Sequence, residues 1–119
     1  MVPFSDHVVV EKLNRLIDDN LNQPAFSIDT ICLALGISRS QLHRAIKEQT
    51  HLSTSLYIRK RRLLKARDLL LTTNRRISEI CDAVGFANAQ NFSTYFTEAF
   101  GVSPTEFRKQ HQLQPSTNG

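Results

Sequence analysis

Residues 35–50 read LGISRSQLHRAIKEQT, and the fold turns on how this stretch is read. Ser38 stands three residues before Gln41. That is the spacing of a capping box, in which each side chain accepts from the other residue's backbone N–H at a helix start. Ile37 and Leu42 occupy the staple positions around it. From there Leu42, Ala45, Ile46 and Gln49 fall on one stripe of a 3.6-residue period and are expected to face inward. Ser40, His43, Arg44 and Lys47, at i, i+3, i+4 and i+7, fall on the other stripe. Upstream, Ile28, Ile31 and Leu35 keep the same period, with no β alternation. The unit reads as helix, glycine-containing turn, helix.

The chain then repeats this unit. SIDTICLALGISRSQLHRAIKEQTHLSTSLYI aligns with RISEICDAVGFANAQNFSTYFTEAFGVSPTEFR. Ile31, Cys32, Ala34 and Gly36 match Ile80, Cys81, Ala83 and Gly85. Past the glycine the second copy gains one residue. Leu42, Ile46, Leu52, Ser53 and Tyr57 then match Phe92, Phe96, Val102, Ser103 and Phe107. Ser27, Ser53 and Ser103 are placed to cap helices, and Pro104 suits a first helical position. The patterns predict an all-α fold of about seven helices, over 6–21, 28–35, 39–49, 54–72, 77–84, 88–99 and 104–112. The first is amphipathic through Val9, Val10, Leu13, Leu16, Ile17 and Leu21.

The expected organisation is two helix-turn-helix subdomains joined by a long linker helix. Residues 1–26 add an N-terminal helix to the first subdomain and 27–52 form its helix-turn-helix. Residues 53–73 form the linker, 74–112 the second helix-turn-helix, and 113–119 a disordered tail. The linker's packing side is expected from Leu56, Leu63, Ala66, Leu69 and Leu70. Its 19 residues at 1.5 Å each make a rod of about 28 Å. Major-groove faces recur about every 34 Å along one side of B-DNA, so such a rod suits two reading helices in adjacent grooves.

The 119 residues carry a net charge of +4, but not evenly. Residues 39–76 hold eleven cations against Glu48 and Asp68, a local balance of +9. That field favours a polyanionic partner. A helix-turn-helix presents its second helix to the major groove. Arg44 can donate twice to guanine O6 and N7 there, Ser40 allows close approach, and His43 can donate to a base edge. Lys47 and Arg39 suit phosphates, and the run Arg59, Lys60, Arg61, Arg62 could clamp one. No apolar stretch reaches the length of a membrane span. No basic-then-apolar leader is present. These features fit a cytoplasmic protein. Cys32 and Cys81 are expected to be small buried hydrophobes, without a zinc site or a disulfide. No catalytic constellation or cofactor motif is apparent.

These residues resemble the AraC/XylS family of bacterial transcription regulators. The likeness spans about residues 27–109, in GISRSQLHR, YIRKRRLLKARDLLL, ISEICDAVGF and NFSTYFTEAFGVSPTEFR. It implies a two-lobed helical domain that binds double-stranded DNA, usually to activate transcription and often in contact with RNA polymerase. Members commonly carry a separate effector or dimerisation domain, so the resemblance implies either a fragment of a larger regulator or a short stand-alone member, and the C-terminal fragment is the favoured expectation. By position, Ser40, His43 and Arg44 are base readers in the first unit, and Ala89, Gln90, Asn91 and Thr94 in the second. The segment 88–99 lacks the basic residues that members often carry there: Thr94 and Thr97 align with Arg44 and Lys47. Gln90 and Asn91 can still pair with adenine, which suggests that the first unit supplies most of the affinity. Arg76 stands where a capping residue is preferred and is a candidate phosphate contact. His51 aligns with Gly101 and is expected in a left-handed conformation. The competing reading is a helical protein-interaction module with an incidental basic face.

Overall fold

The computed structural model describes residues 5–23 and 26–116. Its described residues form seven α-helices: α1 Asp6–Asp19, α2 Ile28–Leu35, α3 Arg39–Thr50, α4 Thr54–Thr72, α5 Ile77–Ala83, α6 Ala89–Phe100 and α7 Pro104–Ser116. The chain divides into two compact units, Met1–Arg61 and Arg62–Gly119. The boundary falls within α4, so the linker helix is shared between the units rather than standing apart.

In the first unit the caps set the helix limits. Ser5 accepts from the Val8 N–H at the start of α1. α1 stops at Asp19, short of the expected residue 21, because Asn20 closes it. The Asn20 backbone N–H donates to Ile17 O, and its side-chain amide donates to Leu16 O at 2.8 Å. Carbonyls of the last turn thereby find partners without further helix. Ser27 caps α2, and Gly36 ends it at φ 70°. The capping box of α3 is complete: the Gln41 N–H donates to Ser38 Oγ at 3.1 Å, and the Ser38 N–H donates to Gln41 Oε1 at 2.8 Å.

Val9, Leu13, Ile17, Ile31, Leu42, Ala45 and Ile46 are fully excluded from solvent and form the centre of this unit. Full burial of one such leucine or isoleucine contributes about 1.5–3 kcal/mol. Tyr57 joins them, and its hydroxyl donates to Asn14 Oδ1 at 2.6 Å, tying the start of α4 to α1. Two expectations fail here. Leu56 is 43% exposed, because α4 packs through Tyr57, one position and about 100° further round the helix. Gln49 is exposed rather than inward. It lies in the last turn of α3, where water satisfies an amide that burial would leave short of partners.

The second unit repeats the plan with larger side chains. Ile80, Phe92 and Phe96 are fully buried, as are their counterparts Ile31, Leu42 and Ile46. Leu63, Ala66 and Leu70 of α4 and Phe107 of α7 complete the core. Ring centroids lie 5.3 Å apart for Phe86 and Phe92, 5.9 Å for Phe92 and Phe96, and 5.6 Å for Phe96 and Phe107, within the favourable range for tilted and edge contacts. Asn88 caps α6 through the Asn91 N–H, and Ser103 caps α7 through the Glu106 N–H. α5 starts less well. The Arg76 N–H donates to Glu79 Oε1 at 2.8 Å, but an arginine side chain has no acceptor to return. α7 continues to Ser116, past the expected end at 112, since Gln112, Leu113 and Gln114 favour helix. Of the tail expected over 113–119, residues 117–119 lie outside the described residues.

Two arginines act inside this unit. The Arg62 guanidinium, 7% exposed, donates to Val84 O at 2.7 Å, where α5 ends. Arg62 therefore cannot join a phosphate clamp with Arg59, Lys60 and Arg61, as the RKRR run suggested. Carbonyls in the last turn of α4 and just beyond it attract a second arginine. Arg108 donates to Leu70 O at 3.4 Å, to Thr73 O at 3.0 Å and to Arg75 O.

Candidate nucleic-acid interface

Burial of Leu42, Ala45 and Ile46 turns the opposite face of α3 to solvent. Ser40, His43, Arg44 and Lys47 are all exposed, as is Arg39 at the start of the helix. Their commitments differ. Arg39 is paired with Asp29 at 2.7 Å. Lys47 Nζ donates to His51 O at 3.4 Å, and His43 Nδ1 is bonded to Thr54 Oγ1. Among the described residues, Arg44 has neither a hydrogen bond nor an ion pair, so all its donors face solvent. His43, Arg44 and Lys47 line one open groove together with Ser53, Thr54 and Ser55. The start of α4 is thus part of the same surface. Nothing in the local pattern of α3 pointed to it, because the contact joins residues eleven apart.

The rest of the basic run divides. Lys60 is exposed and Arg59 half-buried. Arg61 is half-buried and pairs with Asp18 at 3.4 Å. Arg76 is exposed at the start of α5. In the second unit, α6 exposes Ala89, Gln90, Asn91, Thr94, Thr97 and Glu98. That face carries amides, hydroxyls and one carboxylate, but no cation. Thr97 is committed to Ser93 O within its own helix.

The cysteines take no part in either face. Cys81 is buried and its thiol donates to Phe86 O at 3.4 Å, while Cys32 is half-buried. Burial pushes both thiols above the ordinary range; beside Cys32 the Arg39 charge partly offsets the rise. Among the described residues no helix is long and apolar enough to cross a membrane.

Two helix-turn-helix units, each with an exposed second helix, define a helix-turn-helix regulator domain. The family described as "Helix-turn-helix domain" matches residues 31–110. The chain is 35% identical over 110 residues to the regulatory protein SoxS of Escherichia coli K12, covering 92% of this chain and 100% of that protein. It is 34% identical to the transcriptional regulator GbdR of Pseudomonas aeruginosa, covering 89% of this chain but only 28% of that protein. Among solved structures, the C-terminal domain of AraT, a response regulator from Geobacillus stearothermophilus, is 30% identical. It covers 91% of this chain and 89% of that one, with a TM-score of 0.79. An AraC-type regulator from Chromobacterium violaceum is 34% identical with a TM-score of 0.77, covering 84% of this chain and 88% of that one. The chain belongs to the AraC/XylS family of transcription regulators, as its DNA-binding domain.

Proposed function

We propose that this chain reads DNA sequence through α3 and α6, lying in adjacent major grooves of one duplex, and that the two helices contribute unequally. The observation that carries the reading is the exposed stripe of Ser40, His43, Arg44 and Lys47, with the Arg44 guanidinium uncommitted. A guanidinium presented in this way matches the paired acceptors of guanine. Lys47 and Arg39 supply phosphate contacts, with Lys60 and Arg76 as further exposed cations. Arg59 and Arg61 are partly buried, and their share is smaller. Gln90, Asn91 and Thr94 add neutral readout from α6, with Ala89 able to meet a thymine methyl group. The duplication of the unit supports two separate groove contacts.

The protein acts in the cytoplasm, as an activator that also touches RNA polymerase. The activating role is supported by likeness to the transcriptional activator RhaS of Escherichia fergusonii, 37% identical over 101 residues.

The test is selection of bound sites from a random duplex pool, followed by binding across a range of salt. Arg44→Ala is expected to cost about 1–3 kcal/mol and to relax preference at one base pair. Lys47→Ala is expected to weaken all sequences alike and to lower the salt slope by about one. Equal loss on every sequence for Arg44→Ala would remove its role as a base reader. Binding without sequence preference or salt dependence would favour the protein-interaction module instead.

A further inference from the structure

His43 and Thr54 form a bond whose polarity can be worked out. Thr54 is 3% exposed. Among the described residues, His43 Nδ1 is the only hydrogen-bond partner of its hydroxyl. A neutral imidazole carries its proton on one nitrogen and accepts on the other. If Nδ1 held the proton, it would donate to Thr54 Oγ1, and the buried hydroxyl proton would have no acceptor. An unmet buried donor is unfavourable by a ratio on the order of tenfold or more. The hydroxyl therefore donates, Nδ1 accepts, and the imidazole proton sits on Nε2. Because Nδ1 is held by a buried residue while His43 as a whole is exposed, the ring edge left for a ligand is the one bearing Nε2. His43 lines the groove shared with Arg44 and Lys47, and Nε2 is the ring nitrogen left to meet a ligand there.

We propose that Thr54 is a positioning residue for sequence reading, holding His43 so that it offers the duplex an N–H donor and not an acceptor. The inference rests on the DNA reading above and narrows it. The base met by His43 is chosen for an acceptor edge: O6 or N7 of guanine, N7 of adenine or O4 of thymine. Cytosine, which presents the N4 amino donor, is disfavoured on the contacted strand. Nothing in the sequence of α3 alone sets this choice, since a histidine there could present either tautomer.

Two measurements on the full chain separate this inference from the reading beneath it. Long-range proton–nitrogen correlation spectra of the free protein report the His43 tautomer without any DNA. The expected result is a proton on Nε2; a dominant Nδ1–H form overturns the proposal. Site selection from a random duplex pool is then compared for wild type, His43→Ala, Thr54→Val and Thr54→Ser. Thr54→Val keeps the shape and removes the hydroxyl. It is expected to flatten the same single position that His43→Ala flattens, by roughly 3- to 10-fold, the weight of one hydrogen bond. Preferences set by Arg44 should survive, and Thr54→Ser should restore wild-type selection. If Thr54→Val leaves the profile unchanged, or lowers affinity for all sequences alike while Thr54→Ser does the same, the positioning role is wrong. A wild-type chain that enriches no sequence refutes the DNA reading itself, and the groove role of His43 falls with it.

Discussion

His51 and Gly101 offer an exchange experiment with a signed outcome. They are the C-caps of α3 and α6, and both are left-handed, at φ 63° and φ 84°. His51 is the only non-glycine residue with positive φ among the described residues. An L-residue in that conformation costs about 1–2 kcal/mol. Glycine avoids the cost but gives up about 0.4–1 kcal/mol through its freer unfolded chain. The His51 side chain is exposed and makes no hydrogen bond or ion pair among the described residues, so removing it forfeits no contact. The cap itself is backbone, the residue-51 N–H donating to Lys47 O at 2.9 Å, and it persists in the variant. His51→Gly should therefore stabilise by about 0.5–1 kcal/mol, the difference between those two effects. For a unit of this size that raises Tm by roughly 2–6 °C. Gly101→Ala is the mirror test. A Cβ at Gly101 meets nothing within 4 Å, so its net loss of about 0.5–1 kcal/mol is backbone strain less the entropy the alanine removes from the unfolded chain, with no clash added. Thermal and urea melts of the full chain read both values. A lowered Tm for His51→Gly, or no change for Gly101→Ala, would refute the strain argument. A DNA affinity that falls while stability rises would instead assign the His51 ring a phosphate.

Other perturbations have equally definite signs. Arg62→Ala strips Val84 O of a charged donor and opens a gap in the second core; urea melts should show a loss of about 2–4 kcal/mol, with unit 1 residues little affected in hydrogen exchange. Ser38→Ala removes one arm of the α3 capping box and should cost about 1 kcal/mol, read in the same melts. Gln90→Ala should relax base preference while leaving the salt slope of binding unchanged, because α6 exposes no cation; a change in slope would contradict unequal reading. For the thiols, the folded pKa lies above the ordinary value because of burial. Their contribution to stability is complete below the ordinary thiol pKa and is lost as pH rises through the raised folded value. Alkylation of Cys81 should accordingly be slow in the folded chain near neutral pH and fast in urea; equal rates would show that the site is open.

Much of the architecture was legible before the structure, because helix placement here is governed by short-range chemistry. Ser38 and Gln41 announce a box, Ser103 and Pro104 a start, and Gly36 a stop. Each of these acts within one turn, and each is found where the spacing put it. The repeat even carried a conformational fact across units, since Gly101 marked the position at which His51 had to be left-handed. Less legible were the limits set by side chains reaching back on their own helix. Asn20 ended α1 early by taking Leu16 O, and an asparagine in that place does not declare beforehand whether it will cap or continue.

Sequence by itself determined the helices, most of their inward stripes and the exposed face of α3, since periodicity and capping are local properties of the chain; Gln49 and Leu56, read as inward, are exposed. Tertiary structure decided what each polar side chain is committed to. Arg62 and Arg108 look like their basic neighbours in sequence, yet one meets a carbonyl 22 residues away and the other meets carbonyls 33, 35 and 38 residues away. His43 likewise owes its bonded nitrogen to Thr54 on another helix. A long or ambivalent polar group settles wherever an unsatisfied partner lies within reach, and only the folded backbone brings such partners near.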